Sequence, residues 1–270
     1  MNFTRVTKQS PCKVCNHGDW CRVFTDGWAE CMRVQSGQPA KSGGWMHWQG
    51  QLPPGPRRYL PPPPRFQPPT INATQLMREW RAATTAAALD DLATALGLTT
   101  RSVTAVGAAW ATPYGAWAFP MCDGNGNVIG IRLRNEIGKF AVRGSRQGIF
   151  INAEVGTRNA ERQDVLFVCE GPTDTAAAIE LGFFAVGRPN CCCGGPEIKV
   201  YARRLGVARV VVVADNDKPG LDGARKVGGE LKLPFAIYVP PAKDLREFVR
   251  LGGTRAMIEN TLKSTVWSKG

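Results

Sequence analysis

Apolar residues are distributed in three textures along this chain, and each predicts a different kind of structure. After residue 163, short β-branched runs alternate with amphipathic stretches. Strands are predicted at 165–169, 183–186, 210–214 and 235–239, and helices at 173–181, 196–205 and 222–231. Strands separated by helices in this way read as a mostly parallel sheet with helices on its faces. The run Val210-Val211-Val212-Val213-Ala214 is the most apolar of these strands. Further upstream, Ala116-Trp117-Ala118-Phe119-Pro120-Met121 and 128–133 read as two strands joined by the turn Asp123-Gly124-Asn125-Gly126-Asn127. A helix capped by Asn72 or Thr74 carries Leu76, Met77 and Trp80, and a second over 89–96 stops at Gly97. Residues 92–103 have a helix-turn-helix flavour that ordinary packing helices also produce.

The first part of the chain lacks such periodicity. Residues 8–35 form a compact cysteine-bearing unit, and 36–71 are crowded with proline and glycine. Proline fixes φ and removes amide donors, so 36–71 is expected to be an extended tether. Its Trp45, Trp48, Arg57, Arg58, Tyr59, Arg65 and Phe66 offer stacking and charge to a nucleic-acid strand, although a plain spacer explains them as well.

Charge sharpens this picture. The formal net charge of +12 favours a polyanionic partner, and residues 1–70 hold nine Lys/Arg against three Asp/Glu. No apolar run approaches the ~20 residues of a membrane span, and residues 1–10 have no signal-like apolar stretch. Nine cysteines, three of them consecutive at 191–193, make a poor disulfide framework. These features point to a reducing cytoplasm, or the host cytoplasm or nucleoid for a phage or mobile-element protein, with no membrane partner.

Two predicted strands end in carboxylates: Glu170-Gly171-Pro172-Thr173-Asp174 and Asp215-Asn216-Asp217, with Lys243-Asp244 after the last strand. Functional groups of open α/β sheets collect at carboxyl strand ends. Carboxylates crowded there repel one another unless a cation relieves them, and hard oxygen ligands favour Mg²⁺ or Mn²⁺. Phosphoryl or nucleotidyl transfer is the natural chemistry. Gly187-Arg188-Pro189-Asn190 and Gly194-Gly195 lie between the motifs, where amides and Arg188 suit a phosphate. Cys191, Cys192 and Cys193 in that loop read as small fillers.

At the front, Cys12, Cys15, Cys21 and Cys31 supply four thiolates for a structural Zn²⁺, with Arg22–Glu30 as a hairpin turning at Thr25-Asp26-Gly27. His17 could replace Cys15 or Cys21. In the middle, Arg132, Arg134, Lys139, Arg143 and Arg146 are opposed only by Glu136. Strand alternation puts Arg132 and Arg134 on one face and Ile129, Ile131 and Leu133 on the other. Such a cationic face suits template phosphates or the triphosphate of a nucleotide, and a solvated basic surface is the plain alternative.

The Glu-Gly-x-x-Asp of Glu170–Asp174 and the Asp-x-Asp of Asp215–Asp217 resemble the two motifs of the Toprim domain of primases, topoisomerases and some nucleases. Phe119-Pro120-Met121 through Arg132-x-Arg134 is similar to the first half of the bacterial and phage primase core. Asp19-Trp20-Cys21-Arg22-Val23 looks like part of the zinc ribbons of phage and plasmid primases. This three-part order resembles the short form of the zinc-ribbon/Toprim DNA primase family, over about residues 10–35 and 115–250. The second half of the hairpin carries a single cysteine, a departure from that ribbon.

The resemblance implies an α/β fold: a Toprim domain (a Rossmann-like, mostly parallel sheet) at 164–253 after an α+β primase-core subdomain at 72–163. A zinc ribbon at 8–35 precedes both, and 254–270 is a terminal helix or tail. It implies that Glu170 acts as acid/base or organises metal, that Asp215 and Asp217 hold Mg²⁺ with Asp244 contributing, and that Asp174 orients the loop. Arg132, Arg134, Lys139, Arg146, Arg188 and Lys243 then serve the nucleotide. The implied activity is synthesis of short, RNA-type primers on a single-stranded DNA template from ribonucleoside triphosphates. A metal-dependent Toprim nuclease and a non-catalytic nucleic-acid-binding accessory protein are the competing readings. No helicase-like P-loop is present, so a separate replicative helicase is an expected partner.

Overall fold

Side chains alternate between two faces along a strand, and in the central sheet both faces are buried. The structure, a computed structural model, describes residues 2–50, 71–152, 164–191 and 193–270 and comprises two units, 1–65 and 66–270.

In the larger unit, strands β10 (Val165–Cys169), β11 (Ala185–Gly187), β12 (Arg209–Val213) and β13 (Phe235–Tyr238) run parallel, and β9 (Phe150–Ile151) closes one edge antiparallel. The order is β13-β12-β10-β11-β9. Leu166, Val168, Val210 and Val212 pack on helices α5 (Gly195–Arg204) and α6 (Lys218–Leu231). Phe167, Val211 and Val213 face α4 (Pro172–Glu180), α7 (Leu245–Arg250) and α8 (Arg255–Lys263). The chain leaves β10 in one direction to β11 and returns on its other side as β12. That reversal places the crevice between β10 and β12 at the carboxyl edge, where ligands of open α/β sheets bind.

The preceding helices are α1 (Ala73–Ala83), capped by Asn72, α2 (Ala86–Leu96) and the six-residue α3 (Thr100–Ala105). They cover an antiparallel meander of β5 (Ala109–Ala111), β6 (Ala116–Cys122), β7 (Val128–Asn135) and β8 (Gly138–Ala141). The β6–β7 turn forms as the sequence predicts: Asp123 Oδ1 accepts the amides of Asn125 and Asn127 at 2.9 Å, and Gly126 takes φ +94°. One face of the meander, with Ile131, Leu133 and four alanines, packs on Met77 and Trp80 of α1. From the other face, Phe119 and Met121 meet Leu92, Val103, Phe150 and Ala176, joining the meander to the parallel half. The helix-turn-helix-like segment is therefore occupied in this packing, with Ser102 and Val103 buried.

In the smaller unit, β1 (Phe3–Arg5), β2 (Arg22–Phe24), β3 (Trp28–Cys31) and β4 (Trp45–Trp48) form an antiparallel sheet in chain order. The hairpin over Arg22–Glu30 is present as expected. The start of the expected tether differs: Trp45–Trp48 is a strand, because Trp28 pairs with Trp48 and their rings meet edge to face at 5.4 Å. The proline-rich remainder, 51–70, lies outside the described residues.

Candidate functional site

Glu170 follows β10 and Asp215 follows β12, so the two carboxylates sit at neighbouring parallel strand ends. The Asp215 amide donates to the Glu170 carboxylate. Asp217 caps α6 by accepting the Gly220 amide at 2.7 Å, and Asp244 caps α7 by accepting the Glu247 amide at 2.7 Å. Both caps satisfy otherwise orphaned helix donors. Asp217 also starts α6 one turn before the predicted residue 222, with Pro219 tolerated in the first turn. Asp174 is buried and accepts the Arg246 amide at 3.1 Å. The Asn216 amide donates to the Lys243 carbonyl at 2.9 Å, which ties the third acidic element to the second, while the Lys243 side chain is exposed.

Electrostatics tie these groups into one field. Burial, then repulsion from Glu170, Asp244 and Asp217, pushes Asp215 up to about 6. Burial, then Asp244 and Asp215, pushes Asp174 up to about 7. Burial also raises Glu170; Arg188 opposes this, and Asp174 and Asp217 add to it. Glu170 Oε2 is buried without a hydrogen-bond partner. A carboxylate oxygen without a hydrogen bond, among carboxyl groups that resist ionisation, fits a divalent cation. The fit concerns donor chemistry: no three carboxylates among the described residues draw within 4.8 Å of one another as the thiols below do.

A raised folded-state carboxyl pKa means stability that is present below the unfolded value and lost as pH rises through the folded one. For Asp174 the window runs from the ordinary 3.8 to about 7. In chelator, Asp174→Asn is expected to melt at the wild-type temperature at the acid end of this window. It should melt at a progressively higher temperature than wild type towards neutral pH. Parallel melting curves across the window would remove Asp174 from this account.

Arg188 departs from the sequence expectation. It is fully buried, and its guanidinium donates to the carbonyls of Cys169 (3.4 Å), Cys191 (2.6 Å) and Val213 (3.0 Å), with Glu170 Oε2 at 3.6 Å. Fully buried, the side chain presents no surface to a phosphate. Its fork laces the ends of β10, β11 and β12 together and orients Glu170. Arg188→Met removes the guanidinium bonds to the Cys191 and Val213 carbonyls and the ion pair to half-buried Glu170, while the Arg188 amide still reaches Cys169; the expected loss is on the order of 3 kcal/mol in denaturant unfolding. Arg188→Lys should not restore it, because one ammonium cannot span the three acceptors.

The basic strip splits by position. Arg134 donates to Thr173 Oγ1 at 3.2 Å, and Arg132 to the Pro189 carbonyl at 3.3 Å, so both reach from the meander to the parallel half. Arg132 Nε is buried without a partner. Lys139, opposite Arg134 on β8, lies close enough to Asp215 to lower its pKa. Arg146 is exposed after β8. Arg246, absent from the expected set, lies 3.8 Å from Asp244 and donates its amide to Asp174. Its one sequence signal was its place two residues beyond Lys243-Asp244.

In the smaller unit, the ligand atoms of Cys12, Cys15, Cys21 and Cys31 all lie within 4.8 Å of one another. Cys15 and Cys21 sulfurs are 3.7 Å apart, close to the ~3.8 Å edge of a tetrahedron built on Zn–S bonds of about 2.3 Å. His17 stands outside the group, its Nδ1 hydrogen-bonded to the Cys15 carbonyl at 2.7 Å. Burial pushes Cys21 up to about 12 and raises Cys31. At Cys15 burial is outweighed by hydrogen bonds from the His17 backbone and the neighbouring thiols, leaving it at about 6. The four thiols fit a structural zinc.

No protein-family model matches the sequence, and no curated protein matches it. Solved structures do: the class of fold is that of the catalytic domain of bacterial DNA primases. A DnaG primase catalytic domain bound to single-stranded DNA is similar with a TM-score of 0.57 at 17% identity, over 72% of this chain and 79% of that one. The zinc-binding and RNA polymerase domains of Aquifex aeolicus primase give 0.57 at 12% identity, over 73% and 60%. The RNA polymerase domain of Mycobacterium tuberculosis DnaG gives 0.52 at 16%, over 72% and 84%. At these identities the likeness is one of fold.

Proposed function

We propose that this protein is a DNA primase that makes short, RNA-type primers on single-stranded DNA by metal-dependent nucleotidyl transfer, with a Toprim domain at 164–253. The observation that carries the reading is the acidic crevice at the β10/β12 reversal, where a buried Glu170 oxygen that makes no hydrogen bond, with Arg188 at 3.6 Å, lies beside Asp215. The shared fold with primase catalytic domains and the four-thiol cluster support it.

Glu170, Asp215, Asp217 and Asp244 are the residues that hold Mg²⁺ or Mn²⁺. Bound there, the cation supplies neutralisation of phosphate charge and polarisation of the attacking hydroxyl oxygen. Glu170, with a raised pKa, is suited to take the proton from that hydroxyl. Arg188 fixes its orientation from below. Lys139, Arg134 and Arg132 on the meander, with Arg146 and Lys243 at the exposed margins, offer positive charge to nucleotide and template phosphates. The thiol-bound zinc holds the front unit folded so that its basic surface can contact the template. A separate replicative helicase is the expected source of single strand.

The test is incubation of the full chain with single-stranded DNA, labelled ribonucleotides and Mg²⁺. Short labelled products dependent on both template and metal are expected. Cleavage of the DNA in place of synthesis returns the nuclease reading; binding without either reaction returns the accessory-protein reading.

A further inference from the structure

A pocket of about 600 Å³ opens at the amino edge of the central sheet, where β10 and β12 begin beside α8. Val165, Phe184 and Leu262, each half-buried, form an apolar wall. Two arginines stand over aromatic rings there, Arg209 over Trp267 at 4.9 Å and Arg255 over Phe183 at 4.7 Å. Arg255 is further fixed by the Gly182 carbonyl and by Glu259, both at 2.7 Å. Among the described residues, no hydrogen bond or ion pair engages the Arg209 guanidinium. A guanidinium resting on a ring face is held with its fork of donors preset for a carboxylate or phosphate. Lys263 adds a third cation, and Asp164 and Glu259 are the opposing carboxylates.

We propose that this pocket docks an acidic segment of a partner protein, with one carboxylate in the Arg209 fork and an adjoining aliphatic side chain against Val165, Phe184 and Leu262. Three observations choose that occupant. The rings carry cations and leave little room for bases: Phe183 lies between Arg255 and Phe167, the latter stacked at 4.0 Å, and Arg209 covers a face of Trp267. Nucleotides and unpaired strands need a free ring face to stack on. Three cations against two carboxylates leave a single positive charge, which answers a lone carboxylate and not the dense charge of a triphosphate. A bare phosphate would also leave the apolar wall uncovered. Both β10 and β12 run from this edge towards Glu170 and Asp215, so a partner docked here leaves the acidic crevice open. The inference does not rest on the reaction assigned to that crevice.

The experiment is fluorescence anisotropy on the full chain with a labelled short peptide whose central leucine is flanked by aspartates. Arg209→Glu is expected to weaken peptide binding about tenfold or more, the loss of one charge-assisted pair. Arg209→Gln, a milder change that keeps the stem over Trp267, should fall between Arg209→Glu and wild type. Trp267→Leu keeps every charge but frees the guanidinium, and should weaken binding about threefold. Arg203→Glu makes the same charge change on α5, across the sheet, and should bind as wild type does. Replacing the peptide's leucine with serine should weaken binding to wild type, and unlabelled oligo(dT) should not displace the peptide. Absence of saturable binding to wild type overturns the proposal, as does unchanged binding in both Arg209 variants. An equal loss in Arg203→Glu shows net charge alone at work and overturns it as well. Displacement by oligo(dT), or indifference to the leucine, hands the pocket to nucleic acid or to any polyanion and ends the protein-partner assignment.

Discussion

Replacing Asp215 with asparagine is expected to abolish primer synthesis and, at the same pH, to make the metal-free protein harder to unfold. Asp215 is half-buried beside Glu170, and its carboxyl is held up at about 6 by burial and by three neighbouring carboxylates. At neutral pH its ionised form is therefore a cost that a bound cation offsets. Asparagine keeps the shape, removes the charge and leaves only a neutral carbonyl as a weaker ligand for Mg²⁺. Charge stabilisation by a metal contributes several kcal/mol in the transition state, so a fall of about 10³-fold or more is expected. Stability moves the other way. The folded-state pKa is raised, so the stabilising form is the neutral one, and wild type loses stability as pH rises from about 4 to about 6. In chelator at neutral pH, Asp215→Asn should melt above wild type, and near pH 4 the two should coincide. Asp217→Asn is expected to cost less fold stability than Asp217→Ala, because an amide still accepts the Gly220 N–H at the α6 cap. Primer synthesis by Asp215→Asn within tenfold of wild type would withdraw the catalytic assignment.

Chelating zinc, or replacing Cys31 with serine, is expected to unfold the front unit and leave the rest folded. The apolar cluster of residues 3–48 is little more than Val6, Cys12, Cys21 and Cys31, with Val14, Val23 and Met32 at its margin. So small a core cannot offset the chain entropy lost on ordering. Zinc held by four thiolates supplies ~10–16 kcal/mol at neutral pH in comparable short units. Metal analysis should return one zinc per chain. After chelation, the near-ultraviolet signal of Trp20, Trp28, Trp45 and Trp48 should collapse. Far-ultraviolet helicity should persist, since α1 to α8 all lie beyond residue 72. A stoichiometry well under one, or an unchanged aromatic signal in metal-free protein, removes zinc from the description.

Much of this was legible in the local pattern. Short apolar runs between amphipathic stretches gave the strands at 165–169 and 210–214 within a residue of their observed ends. The hairpin at Asp123–Asn127 was legible because an Asx-glycine turn is a local device. Cys12, Cys15, Cys21 and Cys31 lie near one another in sequence, so their spacing already suggested one ligand set, while the place of His17 outside it was read only from the structure. Arg188 was misread for the opposite reason. A glycine-arginine pair at a strand end looks the same whether the guanidinium faces solvent or interior. Its acceptors come from residues 169, 191 and 213, on three separate segments. Likewise β4 sat inside a proline-rich stretch whose composition outweighed four residues, Trp45–Trp48, that are held by pairing with β3.

Sequence alone determined which carboxylates end strands, which thiols form a cluster, and that helices separate the strands of the main sheet, because each depends on periodicity or spacing over a few residues. Tertiary structure decided that β12 lies against β10, with β11 on its other side, and that choice puts Asp215 beside Glu170. It also decided that Asp217 and Asp244 cap helices and that Arg188 is sealed beneath the site. Strand order and burial are set by packing between segments far apart in the chain, and no local pattern of residues carries that energy.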